Sequence, residues 1–153
     1  MHSEVDHEIF MAMAYDEALK ALSIDEVPIG CVIVQGGNVI GRGFNKRNTE
    51  GNALAHAEII AIHQACTHIG DWRLEGCTIY VTVEPCPMCA GAILQSRLER
   101  LVFGAPNKKA GCAGSIIDLM KYPGFNHSVE SISGILQTQS AALLKTYFHQ
   151  MRL

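Results

Sequence analysis

The chain has 153 residues, of which 48% are hydrophobic and 18% are charged, and 12 basic against 15 acidic residues give a net charge of −3. This length predicts a single domain over residues 1–153 with a buried core. No apolar run is long enough to cross a bilayer, and the N-terminus carries acids where a secretory signal carries bases, so we expect a cytoplasmic protein and no membrane partner. The small negative charge excludes a global basic field for nucleic acid, although a local basic patch would suffice.

The first half of the chain predicts a helix, a hairpin and a second helix. Residues 6–22 carry apolar side chains at helical spacing, namely Met11, Ala14, Tyr15, Ala18 and Leu22. Two strands flank Gly36-Gly37, a pair typical of a tight hairpin turn. A helix over about 55–69 is expected to end at Gly70.

The second half predicts two more strands and three helices. The stretch 77–83, CTIYVTV, alternates between two faces, a helix then runs to about Arg97, and RLVFGA at 100–105 is a short strand. A Gly-rich irregular segment leads to a short helix around Ile116 to Lys121, and a last helix over 136–151 places Ala141, Leu144, Phe148 and Met151 at helical spacing. Alternating strands and helices predict an α/β fold, a three-layer α/β/α sandwich with a mixed sheet.

Six cysteines are present, and their spacing is not that of a disulfide framework in a small secreted domain. Cys86 and Cys89 stand three apart at the start of the helix after CTIYVTV, where Pro87 suits the first helical turn. Residues at i and i+3 share a helix face, so both sulfurs can reach one ion. Such a pair is compatible with a redox dithiol, half of a structural zinc site, or part of a catalytic metal centre.

His56 and Glu58 favour the catalytic alternative. His56 begins the helix over 55–69 and is the clearest third ligand, and a catalytic zinc site uses three protein ligands where a structural one normally uses four. Glu58 follows two residues later, and a carboxylate beside a metal site can transfer protons from water to a leaving group. Alone, Glu58 would more simply complement the helix macrodipole, but its combination with HAE and PCPMC favours catalysis.

The motifs HAE and PCPMC, about thirty residues apart, fit the H-x-E…P-C-x-x-C pattern of zinc-dependent nucleobase deaminases. The wider sequence resembles bacterial-type tRNA-specific adenosine deaminases from about residue 8 to 150. The resemblance is carried, in order, by EVPIGCVIV, NALAHAEIIAI, WRLEGCTIYVTVEPCPMCAGAI, RLVFGA, GCAGS, GFNH and SGIL. It implies a cytidine deaminase-like fold with a mixed five-stranded sheet.

The same resemblance implies the residues of the site. His56, Cys86 and Cys89 would hold one Zn²⁺ per subunit, and Glu58 would be the proton shuttle acting on a catalytic water. Asn45 matches the position that hydrogen-bonds the flipped base, and Ile29 an apolar wall of the pocket. Four further positions match those that approach the nucleotides flanking the target: Asn107, Lys109, His127 and Phe148. The residues alone also allow ordinary structural roles. Asn45 could satisfy a turn at the end of a strand, Phe148 could be a core residue, and Lys109 could lie in a solvated loop.

The resemblance implies hydrolytic deamination of adenosine to inosine at the wobble position of a tRNA anticodon stem-loop, by a homodimer. Two departures stand out: relatives typically carry an acid in place of Asn107, and their last helix usually continues into a basic tail, so we expect altered phosphate contacts. One alternative is a related zinc deaminase acting on a free base or nucleoside, of guanine or cytosine type. Others are a non-catalytic zinc-stabilised binding module and a redox dithiol, which gives His56 and Glu58 no role.

Overall fold

The computed structural model describes residues 4–151. Its strands are β1 (Gly30–Gln35), β2 (Asn38–Phe44), β3 (Thr78–Val83), β4 (Arg100–Ala105) and β5 (Glu130–Ile132). Its helices are α1 (Glu4–Ser23), α2 (Arg47–Glu50), α3 (Ala57–Ile69), α4 (Pro87–Gln95) and α5 (Gln137–Met151).

The strands form one mixed sheet in the order β2-β1-β3-β4-β5. β1 is antiparallel to β2 and β3, whereas the β3–β4 and β4–β5 pairs are parallel. The parallel pairs need crossover connections, and α4 supplies the one between β3 and β4. The predicted α/β class and the five-stranded mixed sheet are confirmed.

Each face of the sheet is covered by helices. One core cluster joins Ile79 of β3 to Ala61 of α3 and Ile93 of α4. The other joins Tyr80, the next residue of β3, to Met11 of α1. Every residue of β3 is buried, as expected for a central strand packed on both sides. The molecule is therefore the predicted three-layer α/β/α sandwich, and no helix within the described residues is long and apolar enough to span a membrane.

Helix α3 lies unusually close to strand β2, because two glycines face it. A Cβ atom on Gly41 would lie 2.4 Å from the carbonyl oxygen of Ala61, and one on Gly43 would lie 2.3 Å from that of Ala57. Both distances are far below any real contact between these atoms, so only glycine permits this approach. The start of α3, where His56 and Glu58 lie, is thereby set by contact between two backbones.

Three details differ from the sequence-based expectations. Residues 116–121 form turns instead of the predicted short helix, because a bridge between Ala113 and Asp118 closes a tight loop there. No sequence pattern indicated the position of strand β5, because it has only three residues and none of them is fully buried.

The third difference concerns the buried face of α5. That face consists of Ser140, Leu143 and Tyr147, whereas Phe148 and Met151 are 47% and 58% exposed. Two stripes one residue apart both satisfy the helical period. The stripe that contains Tyr147 is the buried one. The hydroxyl of Tyr147 donates a hydrogen bond to the carbonyl oxygen of Asp25 at 3.3 Å.

Candidate metal and catalytic site

The site is built where the N-termini of α3 and α4 meet. His56 is the N-cap of α3 and Cys86 the N-cap of α4, both with extended backbone angles. Pro87 occupies the first turn of α4, where its missing N–H costs no helical hydrogen bond. Neither residue makes a side-chain capping hydrogen bond, and the side chains of both reach one cluster.

The three predicted ligands come together. The ligand atoms of His56, Cys86 and Cys89 all lie within 4.8 Å of one another. His56 Nδ1 is 3.6 Å from Cys86 Sγ and 3.5 Å from Cys89 Sγ. Tetrahedral bonds of about 2.3 Å to sulfur and 2.0–2.1 Å to nitrogen put two such donors about 3.6 Å apart. The spacing and the donor chemistry therefore fit a zinc ion.

The electrostatics of the cluster favour a thiolate. A hydrogen bond from Cys89, helped by one from His56, lowers the pKa of the Cys86 thiol to about 4. The same contact with Cys86 raises the pKa of Cys89, and burial adds to that rise. The hydrogen bond with Cys86 raises the pKa of His56. Cys86 is therefore ionised at neutral pH, and a thiolate is the form that binds a metal.

Glu58 lies beside the cluster in the first turn of α3. Its side chain is only 4% exposed, and burial raises the pKa of its carboxyl to about 7. The Cys86 sulfur is near enough to add to this rise by charge repulsion. A carboxyl with this pKa can both accept and release a proton near neutral pH.

A pocket opens directly onto these groups. It has a volume of about 130 Å³, close to the roughly 150 Å³ cavity that holds benzene in an engineered protein. His56, Glu58 and Cys86 line it together with Ile29 and Asn45, the two residues predicted to contact the base. The size suits one flat aromatic ring system.

Asn45, 6% exposed, is held by its own neighbours. Its Oδ1 accepts the N–H of Arg47 at 3.3 Å, and its Nδ2 donates to the carbonyl oxygen of Val27 at 3.4 Å. Both bonds are long, so the amide is oriented at the pocket wall without being strongly engaged.

The remaining predicted substrate residues are spread more widely. Asn107 lines the pocket, and Lys109 is exposed two residues further along the same loop. Phe148 is exposed on α5, next to Tyr147. His127 lies in a different cavity with Gly91 and Leu94 and bonds to the carbonyl oxygen of Leu98 at 2.8 Å. The structure of one chain thus does not bring His127 to the pocket.

Sequence reasoning missed two buried glutamates, of which Glu84 lines the pocket and Glu26 directly precedes a lining residue, Val27. Glu84, 3% exposed, accepts hydrogen bonds from residues of the 107–115 segment. Burial alone would raise its pKa, but bonds from Ser115, Asn107 and Ala113 outweigh burial and lower it. Glu26, 1% exposed, accepts the N–H groups of Asn48 and Thr49. An acid directly after the fully buried strand β3 was the available signal for Glu84.

Comparisons with known proteins identify the family of the chain. Residues 5–152 match the MafB19-like deaminase family. The tRNA-specific adenosine deaminase of Bacillus subtilis is 48% identical over 145 residues, covering 95% of this chain and 90% of that protein. The enzyme of the same name from Haemophilus influenzae is 42% identical over 153 residues, covering 99% and 88%.

Solved structures extend the comparison. One, from a study of A-to-I editing by tRNA:A34 deaminases at the wobble position of transfer RNA, superposes with a TM-score of 0.84 at 42% identity, covering 88% of this chain and 97% of that one. A guanine deaminase from Nitrosomonas europaea has a TM-score of 0.77 at 22% identity, covering 92% of this chain and 83% of that one, and shares the fold alone. The chain therefore belongs to the family of tRNA-specific adenosine deaminases.

Proposed function

We propose that this protein hydrolyses adenosine to inosine at the wobble position of a tRNA anticodon and releases ammonia. The observation that carries the proposal is the buried Glu58 carboxyl beside the His56, Cys86 and Cys89 cluster, at the base of a ring-sized pocket. A purely structural zinc site has no use for a buried acid with a pKa near 7. Relatives at 42–48% identity, all named for this activity, support the choice of substrate.

Glu58 moves the protons of this reaction. Water adds to C6 of the adenine ring while Glu58 accepts its proton and passes it to ring nitrogen N1. Glu58 next accepts the proton of the new C6 hydroxyl and delivers it to the exocyclic amine, the C6–N bond breaks as the C6 carbonyl forms, and ammonia leaves. The pKa of about 7 matches a group that must act as base and then as acid at the same pH.

His56, Cys86 and Cys89 would hold one zinc ion per subunit. Zinc, when bound, supplies Lewis-acid activation of the attacking water. The two helix N-termini add positive potential at the same place, which favours the thiolate ligands. The ligands belong to two helices separated by β3, so the sheet fixes their separation.

The target base and the flanking nucleotides of the RNA would be held by different groups. Ile29 would pack on the ring, and the amide of Asn45 would hydrogen-bond it at the pocket wall. Asn107, Lys109, Phe148 and, in an assembled homodimer, His127 are proposed to approach the flanking nucleotides. A pocket for one ring requires the base to leave its stack, and an unpaired anticodon loop makes this inexpensive. We propose a cytoplasmic homodimer with one domain per chain.

The deciding experiment is an assay of the zinc-loaded protein on a tRNA transcript with adenosine at the wobble position. Free adenosine, guanine and cytosine are assayed in parallel, and a transcript with guanosine at that position is the matched control. We expect inosine and ammonia only from the adenosine transcript. Turnover of the small molecules alone would refute the tRNA assignment, and no turnover of any substrate would favour a binding module.

A further inference from the structure

We infer that Glu84 is a positioning residue, which fixes the loop over residues 106–115 (the 106–115 loop) so that Asn107 forms one wall of the pocket. The inference deepens the proposed function, on which its consequence for the substrate rests. The loop has no helix or strand apart from one bridge residue, Ala113. Something other than its own secondary structure must therefore hold it.

The carboxylate of Glu84 receives four donors from this loop. Its Oε1 accepts the N–H of Asn107 at 3.1 Å and the hydroxyl of Ser115. Its Oε2 accepts the N–H of Ala113 at 2.9 Å and that of Ser115 at 3.0 Å. The bonds reach both ends of the loop, eight residues apart, so one side chain closes it. With its oxygens occupied in this way, Glu84 is assigned to positioning rather than to proton transfer.

Gly111 shows how closely the loop lies on this side chain. A Cβ atom at Gly111 would lie 2.4 Å from Cδ of Glu84 and 2.5 Å from the carbonyl oxygen of Asn107. The N–H of Gly111 also donates to that carbonyl at 2.7 Å. One added methyl group would therefore separate the loop from the carboxylate without changing Glu84 itself.

Asn107 links the loop to the substrate pocket. Its backbone is held by Glu84, and its Oδ1 accepts the N–H of Ala110 at 3.1 Å. The direction of its side chain therefore follows from the loop and not from contacts with the opposite wall. Because Glu58 and the metal ligands stand on α3 and α4, releasing the loop should weaken substrate binding more than the chemical step.

The test combines amide hydrogen exchange with steady-state kinetics on the zinc-loaded protein. Glu84→Gln replaces one acceptor oxygen by an amide donor, which leaves at least one loop N–H facing another donor. An unsatisfied buried donor costs about 1–3 kcal/mol, so we expect exchange at Asn107, Ala113 and Ser115 to be about tenfold faster. KM for the adenosine tRNA transcript should rise about tenfold, with kcat within about twofold and zinc content unchanged.

Gly111→Ala should reproduce this result by a different route, and it keeps the test valid if Glu84→Gln fails to fold. Ser115→Ala removes one donor of the four and should give a smaller rise in KM. The control is Glu17→Gln on α1, which changes an equally buried carboxylate that pairs with Lys20 at 2.6 Å. We expect it to alter stability without altering KM or the loop amides.

Unchanged exchange in both Glu84→Gln and Gly111→Ala would overturn the inference. Faster exchange with unchanged KM would overturn the inference as well, because holding the loop would then have no effect on substrate binding. A rise in KM that Glu17→Gln shares would reduce the role of Glu84 to general stability. A wild-type protein inactive on the transcript would refute the proposed function, whereas exchange, which needs no substrate, would still decide whether Glu84 holds the loop.

Discussion

The two walls of the pocket are built in opposite ways. On the metal side, His56, Glu58, Cys86 and Cys89 all lie in the first turns of two helices that pack on the sheet. On the other side, the 106–115 loop is held by four hydrogen bonds to one side chain, Glu84, together with the buried Cys112, whose N–H donates to the carbonyl oxygen of Pro85 at 2.9 Å.

This difference separates chemistry from selection. Groups that must meet one ion within a fraction of an ångström are carried by regular elements, whose positions the core determines. Asn107 and Lys109, which are proposed to contact the nucleotides flanking the target, lie on a loop outside the two helices that carry the proposed metal ligands.

The largest effect is expected from the loss of a proposed metal ligand. Cys89→Ser should abolish zinc retention and activity, because a hydroxyl is a poor substitute for thiolate in a three-ligand site. Metal content measured by mass spectrometry after dialysis, together with the tRNA assay, tests this. Cys66→Ser, at a partly exposed thiol on α3, is the control and should keep one zinc per chain. Retention of zinc by Cys89→Ser would contradict the ligand assignment.

A change at Glu58 tests the same wall without removing the metal. Glu58→Gln should lower kcat by about 10²–10⁴-fold, since the proton acceptor and donor is lost. Zinc content should remain at one ion per chain, because Glu58 is not one of the three residues whose ligand atoms form the cluster. Glu75→Gln, at an exposed position before β3, should keep full activity. Comparable activity of the two variants would exclude Glu58 as the proton shuttle.

Substitutions in the 106–115 loop should have weaker effects on tRNA binding, and these effects should depend on salt concentration. If Lys109 contacts a phosphate, Lys109→Ala should weaken tRNA binding a few-fold and reduce the slope of log affinity against log salt by about one. Titrations at several salt concentrations measure this slope. Arg42→Ala, an exposed basic position on the edge strand β2, should leave the slope unchanged. Equal slopes for wild type and Lys109→Ala would remove Lys109 from the proposed interface.

The smallest effect is expected at Glu26, which concerns stability alone. Burial raises its pKa, but bonds from Thr49 and Asn48 outweigh burial and hold it below 4.5. A depressed folded-state pKa contributes stability above the unfolded value, and this is lost as pH falls through the folded-state pKa. Glu26→Gln should therefore cost about 1 kcal/mol at pH 7 and progressively less below pH 4.5. Urea unfolding across pH measures the difference, and a constant difference would contradict it.

Sequence reasoning succeeded where a feature depends on local spacing. Two local patterns predicted helix starts that the structure contains: the two cysteines three apart after β3, with a proline on each side of Cys86, and the histidine two residues before an acid. It failed where tertiary contacts decide. The turns over 116–121 depend on a bridge to Ala113, and the buried face of α5 depends on Tyr147. The loop role of Glu84 needs donors that lie 23–31 residues away in sequence.

Gly43 gives the metal wall an uncommon kind of precision. Its missing side chain lets β2 touch the carbonyl oxygen of Ala57, the residue between His56 and Glu58. Two main chains in direct contact have no rotamers with which to adjust, so this contact fixes the distance of His56 and Glu58, on either side of Ala57, from β2. Position 43 therefore has almost no acceptable alternative to glycine, although it contributes no side chain to the pocket.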